Sequence, residues 1–348
     1  MAVHGEDIAM LKDILVPLSD APSDEAAIRF AVELGRAQGA RVRIIETVDL
    51  PPPAIGTADA TPRPSFLAAQ DERRRKAAER ASRIEVRIGQ QAGVSVEVHE
   101  AGVESPAELA ARLAFSTDLA IIGGWSGSAK PDPVGMALFN ALLFEAGRPV
   151  VVVPPHWRPR DHSCAMVGWK NTPNACRAVH SAIPLLQQAQ AVVLVEICRH
   201  SDEMDGAGTG GVAASLVEHL RSWNIAASTT RLLSRHHRSS EVLLDHAGAT
   251  KATLIVVGGY GHSRLREWTI GGMTLELLRG RPFRSCMPTD TLKQIDGPTR
   301  DHHRFHCKGV NPAAHPETGA RPPGLRGTAC CLCVPADSWM RRRRRRPP

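Results

Sequence analysis

The sequence is poor in aromatic residues and has no long apolar run. Its 348 residues include a single tyrosine, Tyr260, and aromatic residues make up only 4% of the chain. This scarcity argues against a protein that binds single-stranded nucleic acid by stacking bases on aromatic rings. No segment approaches the roughly 18 uninterrupted apolar residues that a membrane-spanning helix needs. Acidic residues precede the first apolar stretch, unlike in a signal peptide. We therefore expect a cytoplasmic protein without a membrane partner.

The positive net charge belongs to one end of the chain. Residues 281–348 carry 14 Lys or Arg and 5 Asp or Glu, a net charge of +9. Residues 1–280 carry the other 29 Lys or Arg and 31 Asp or Glu, a net charge of −2. Because this body is nearly neutral, the whole-chain charge of +7 is no evidence of nucleic-acid binding. We expect no specific nucleic-acid partner.

The body of the chain repeats one pattern of strands and helices. Apolar strands alternate with amphipathic helices twice over, and the fourth strands match most closely, as 119-LAIIGGWSGS-128 and 254-LIVVGGYGHS-263. Continuous apolar strands separated by helices indicate parallel strands buried on both faces. We predict two doubly wound α/β domains of the Rossmann-like or flavodoxin-like kind, at 10–156 and 162–280.

The segment 258-GGYGHSRLREWTIGG-272 follows the last predicted strand. Together with the duplicated βαβ pattern, it resembles the tandem universal stress proteins of bacteria, whose fold is that of the adenine nucleotide alpha hydrolases. ATP-binding members of this family carry G-x2-G-x9-G, followed by Ser or Thr, after the fourth strand. Gly258, Gly261 and Gly271 reproduce the glycine spacing. The resemblance implies a role in stress response, a possible ATP ligand and a homodimer or an intramolecular pseudo-dimer of the two domains.

A glycine loop at this place has a physical rationale. Ligands of open parallel sheets bind beyond the carboxyl ends of the strands, where glycines let backbone amides approach phosphate oxygens. The candidate nucleotide-binding residues are Gly258, Gly259, Gly261, His262, Ser263, Gly271, Gly272, Thr274 and Lys170.

The sequence also departs from the family pattern. Position 272 is glycine where the family has a hydroxyl, and the nearest hydroxyl is that of Thr274. Lys170 stands where ATP-binding members have Asp, and Ala137 replaces the third glycine in the first domain, whose site is therefore degenerate. Two interpretations stay open: a nucleotide-binding stress protein, or a structural or interaction module with a vestigial pocket.

Catalysis and metal binding are not expected. The chain contains no P-loop, HExxH or GxSxG pattern, and no nucleophile is paired with a base in a known context. The cysteines of the body are scattered, without metal-ligand spacing. We predict a protein that is not an enzyme and holds no metal.

The tail, residues 281–348, does not continue the repeat. It holds ten of the 26 prolines and six consecutive arginines, and we expect it to be disordered. A shift of two bases within a back-translation of Pro282–Thr289 spells Val-Pro-Val-Leu-His-Ala-His, which begins like a fifth strand. We hypothesise that a frameshift replaced the fifth strand of the second domain, and resequencing the gene tests this.

Overall fold

The computed structural model describes residues 10–50, 64–125, 132–158, 164–200, 207–235, 237–258 and 329–333, with only the backbone for 207–210 and 329–333. The first half alternates strands and helices in this order: β1 (Asp13–Pro17), α1 (Asp24–Gln38), β2 (Arg41–Val48), α2 (Pro64–Ile88), β3 (Val94–Glu100), α3 (Pro106–Ala114), β4 (Leu119–Gly123), α4 (Pro133–Asn140), a π-helical turn (Ala141–Glu145) and β5 (Val150–Val153).

The second half repeats this alternation. Its elements are β6 (Ala165–Trp169), α5 (Pro173–Leu186), β7 (Val192–Cys198), α6 (Ala207–Ser222), β8 (Ala227–Leu233), α7 (Ser239–Ala249), β9 (Leu254–Gly258) and β10 (Ala329–Cys333). Strands and helices thus alternate in the second half as they do in the first.

The ten described strands form one sheet in the order β3-β2-β1-β4-β5-β10-β9-β6-β7-β8. Strands β1 to β5 pair in parallel, and so do β6 to β9. The central strands β1, β4 and β5 are almost wholly buried apolar runs, as parallel strands covered on both faces must be. The predicted fold class is confirmed.

One segment differs from the sequence expectation. We expected the second half to lack a fifth strand, yet β10 pairs in parallel with β9 and antiparallel with β5. The physical reason is that the edge strand of an open sheet has unpaired N–H and C=O groups. A short segment of small and apolar residues, ACCLC, can pair with these groups. The frameshift itself stays a prediction.

The helices begin where the sequence offers capping groups. Ser105 forms a capping box with Glu108, since its Oγ accepts from the Glu108 backbone N–H and its own N–H donates to the Glu108 carboxylate. Thr172 caps α5 in front of Pro173. Ser23 precedes α1 at the N-cap position, but its side chain makes no capping hydrogen bond.

The two halves share apolar packing and a buried amide. Helices α1 and α5 lie on the same face of the sheet within one cluster of buried side chains, which includes Ala31 and Val179. Gln38 of α1 donates from Nε2 to the carbonyl oxygen of Pro184 in α5, at 3.3 Å. In the link between the halves, Trp157 packs edge-on against Phe30 of α1. Among the described residues, no helix combines the length and apolar character needed to cross a bilayer.

Candidate functional site

The carboxyl ends of the parallel strands point to one side of the sheet in the first half and to the opposite side in the second half. Within each half, the strand order changes direction between the first and fourth strands, which are β1 and β4 or β6 and β9. Ligands of open α/β sheets bind at such points. Because β10 is parallel to β9 and antiparallel to β5, the strands of the two halves run in opposite directions. Each half therefore has its own candidate site.

In the second half, β9 ends in very close contact with the beginning of α5. A Cβ atom built on Gly258 would lie 2.7 Å from the backbone nitrogen of Ala175 and 2.9 Å from its Cα. Only glycine fits at this distance without a backbone shift. The end of β9 is thereby placed beside the N-terminal turn of α5, where the helix dipole favours an anion.

Lys170 lies beside Gly258, at the carboxyl ends of the strands of the second half. Gly168 of β6 is opposite Val257 of β9 in the strand register, so that Lys170 and Gly258 both follow this pair at the carboxyl ends of neighbouring strands. The Lys170 side chain is exposed, and its carbonyl oxygen accepts a hydrogen bond from the Thr172 backbone N–H. An exposed ammonium group beside a helix N-terminus suits a phosphate or another anion.

The remaining predicted residues of this site fall outside the described part of the chain. They are Gly259, Gly261, His262, Ser263, Gly271, Gly272 and Thr274. The structure thus brings together Gly258 and Lys170 from the predicted set, and the roles of the others stay predictions.

The first half has the equivalent backbone contact. A Cβ atom on Gly123, the last residue of β4, would lie 2.5 Å from Oγ and 2.8 Å from the carbonyl carbon of Ser23, just before α1. The loop after β1 is closed by Asp24, whose carboxylate accepts from both the backbone N–H and the hydroxyl of Ser19. Burial raises the pKa of Asp24, and the Ser19 hydrogen bonds oppose that rise.

The N-terminus of α4, the helix that follows β4, is capped by a carboxylate of the chain itself. The Asp132 carboxylate accepts a hydrogen bond from the backbone N–H of Gly135 at 2.9 Å, at the N-terminus of α4. A phosphate placed at this helix end would meet a negative charge already there. The Asp132 cap and the missing glycine at Ala137 both lie in the segment after β4. The sequence signal for the cap was Asp-Pro ahead of an apolar run.

Sequence reasoning missed a buried glutamate beside the first-half site. Glu46 of β2 is 3% exposed, and one carboxylate oxygen, Oε1, lies 3.3 Å from Nη1 of Arg80 in α2. Burial raises the pKa of Glu46 to about 7, the nearby Arg80 opposes that rise, and the carboxylates of Asp20 and Asp24 add to it. An acid within an apolar strand, as in RIIETV, was the available signal.

The second half has a glutamate at the same strand position. Ile14 and Ala165 stand opposite the first residues of β4 and β9, and they pair with Val42 and Val192. Four residues further along each strand come Glu46 and Glu196, so these two positions are equivalent. Glu196 is paired differently, with Nε of Arg231 on β8 at 3.0 Å.

Within the described ranges, no set of three or more His, Cys, Asp or Glu side chains is arranged to hold a metal ion.

Comparisons with known proteins agree with this architecture. The model of the universal stress protein family matches residues 10–154. A universal stress protein from Archaeoglobus fulgidus DSM 4304 is 12% identical, with 92% of this chain and 98% of that chain covered at a TM-score of 0.58. A functionally unknown protein from Pseudomonas aeruginosa PAO1 is 13% identical over 94% of both chains, with a TM-score of 0.47. Universal stress protein UspA from Lactobacillus plantarum is 18% identical over 41% of this chain and 98% of its own, with a TM-score of 0.32. A search of curated sequences finds no match. At 12% identity, the first of these similarities shows the shared fold.

Proposed function

We propose that the chain is a universal stress protein, non-catalytic and cytoplasmic, with a role in the stress response; the match of the family model to residues 10–154 supports this. We further propose that it binds a nucleotide such as ATP in its second half. Its contribution to the stress response is then ligand-dependent binding to other components rather than a chemical reaction.

One observation carries the nucleotide proposal, namely the close approach of Gly258 to the start of α5. The contact brings the end of β9 to a helix N-terminus, with the exposed ammonium group of Lys170 at the same edge. Backbone amides, a helix dipole and a cation together form the usual surroundings of a bound phosphate. The spacing of Gly258, Gly261 and Gly271 supports the same interpretation.

Calorimetric titration of the full chain with ATP, ADP and adenosine tests the proposal. We expect affinity to increase with the number of phosphates. Lys170→Met should weaken ATP binding at least about tenfold, since a hydrogen bond to a charged group contributes roughly 1.5–3 kcal/mol. Lys12→Met is the matched control, because Lys12 is also exposed but precedes β1, away from the carboxyl ends of the strands. Equal affinities for ATP and adenosine, or equal losses in the two variants, would contradict the phosphate site.

The second candidate function is that of a structural or interaction module with a vestigial pocket. Two observations favour it: Lys170 stands where the family pattern has an acid, and Asp132 already occupies the N-terminus of α4 in the first half. An absence of any binding heat up to millimolar ATP would favour this module over the nucleotide-binding protein.

The assembly we propose is an intramolecular pseudo-dimer. The pairing of β10 with both β5 and β9 supports it, because the two halves then share one sheet within a single chain. Sedimentation of the full chain should therefore give the mass of one chain, and a concentration-dependent doubling of mass would indicate the homodimer instead.

A further inference from the structure

A cysteine and two histidines lie together on the surface of the second half. Cys176 and His180 are one turn apart on α5, and His219 is on α6. All three residues are exposed. Sγ of Cys176 lies 3.6 Å from Nδ1 of His180, and the ring centroids of His180 and His219 are 5.2 Å apart. The structure therefore places an accessible thiol against an imidazole that also contacts a second ring from the neighbouring helix.

The backbone determines what the imidazole presents to the sulfur. Nδ1 of His180 lies 2.8 Å from the carbonyl oxygen of Cys176. A carbonyl oxygen can only accept a hydrogen bond, so Nδ1 carries the hydrogen. The same N–H lies close enough to Sγ to be shared with it. Because an ionised acceptor forms the stronger hydrogen bond, this contact stabilises the thiolate form of Cys176 more than its thiol form.

The position of Cys176 on the helix acts in the same direction. Cys176 lies in the first turn of α5, where its N–H donates to the Thr172 carbonyl oxygen at 3.1 Å. The helix dipole favours a negative charge within this turn. Reactive cysteines are exposed thiolates beside a histidine or at a helix N-terminus, and Cys176 combines these two surroundings. Cys164 and Cys198, in contrast, are buried.

We propose that Cys176 is an oxidisable thiol that reacts with hydrogen peroxide, and that His180 is the hydrogen-bond donor to its thiolate. The sulfur forms a bond to one oxygen of the peroxide as the O–O bond breaks. Sulfur is oxidised by two electrons to the sulfenic acid, and the peroxide is reduced. The leaving hydroxide takes a proton from the solvent and becomes water. Since the three side chains are exposed, the site suits a small oxidant, and it does not depend on the nucleotide site.

Peptide-resolved mass spectrometry of the full chain tests this site. The reduced chain is treated with hydrogen peroxide at neutral pH in the presence of dimedone, which traps sulfenic acids. The rate of labelling is measured separately for each cysteine peptide. We expect Cys176 to be labelled at least about tenfold faster than Cys164 and Cys198, because these two thiols are buried. Labelling of Cys176 at the rate of the buried thiols would overturn the proposal.

A substitution of His180 tests the role of the donor. His180→Phe keeps a planar ring beside His219 but removes the N–H that faces the sulfur. We expect labelling of Cys176 to slow roughly three- to tenfold, which is the effect of losing one hydrogen bond. His156→Phe is the matched control, since His156 is also exposed but lies in the link before β6, and it should leave the rate unchanged.

Alkylation by iodoacetamide separates the thiolate from the oxidant, because it uses the same sulfur without peroxide. If the donor acts on the thiolate, His180→Phe should slow alkylation of Cys176 by about the same factor as oxidation. Equal rates of both reactions in wild type and His180→Phe, or an equal loss in His156→Phe, would show that the imidazole has no such role and would overturn the proposal.

Discussion

Replacement of Gly258 by alanine should destabilise the protein through a single methyl group. The new Cβ would lie 2.7 Å from the Ala175 nitrogen, about 1 Å inside the ordinary contact distance of the two atoms. Both close neighbours are backbone atoms of α5, so no side chain can rotate away, and β9 or α5 must move instead. Overpacking of this kind costs typically 1–3 kcal/mol, and we expect about 3 kcal/mol because a strand and a helix must separate.

Gly211→Ala is the matched control for this substitution. Gly211 is exposed in α6, and in the described part of the chain a Cβ built there would have no atom within 4 Å apart from its chain neighbours and the adjoining helix backbone. Alanine is the better helix former, so we expect Gly211→Ala to stabilise by roughly 0.5–1 kcal/mol.

Urea unfolding of the two variants, followed by circular dichroism, measures both free energies. The reasoning on Gly258 is refuted if its alanine variant unfolds at the same urea concentration as wild type, or at a higher one. A loss of stability in both variants would instead indicate a general effect of the added methyl group.

Three further predictions concern capping and charge. Ser105→Ala should lower the unfolding free energy by about 1 kcal/mol through loss of the α3 cap, and an unchanged urea midpoint would contradict it. The Arg43 guanidinium holds the pKa of Glu97 down at about 2, so the Arg43→Met variant should show a Glu97 titration by NMR close to 4.5. In wild type, the stability from this pair is present above pH 4.5 and is lost as the pH falls through 2. For Glu46 the sign is opposite: its raised pKa means that stability is highest below pH 4.5 and falls as the pH rises through about 7. Glu46→Gln should remove that fall, at most about 3 kcal/mol, and unfolding curves at pH 5 and 8 measure it.

Much of the fold could be predicted because parallel strands have a simple signature. Buried strands such as β4 and β9 are uninterrupted apolar runs, and their pairing within each half follows from the alternation with helices. The Gly-Gly pairs after both strands also located the two edges at which sites can form. The close approach of Gly258 to α5 shows why these glycines are informative: a strand that ends against the backbone of a helix needs glycine at the contact.

The buried glutamate could not be predicted in the same way. Glu46 and Arg80 are separated by 34 positions, and only the packing of α2 over β2 brings them together. In the sequence, Arg80 is one of many charged residues of α2, several of which pair with each other along the helix surface. The position of β10 was also hidden, because strand pairing depends on an open backbone edge and not on a particular sequence.

The buried amide of Gln38 has a consequence for how the protein loses its structure. Its Nε2 donates to Pro184 in the other half, and its Oε1 accepts from the backbone N–H of Leu11, both inside a shared apolar cluster. Separating the halves would therefore leave the buried Nε2 of Gln38 without its Pro184 partner and expose the apolar faces of α1 and α5 to water together. We therefore expect the two halves to unfold together, so that a destabilising change in either half lowers the melting temperature of both.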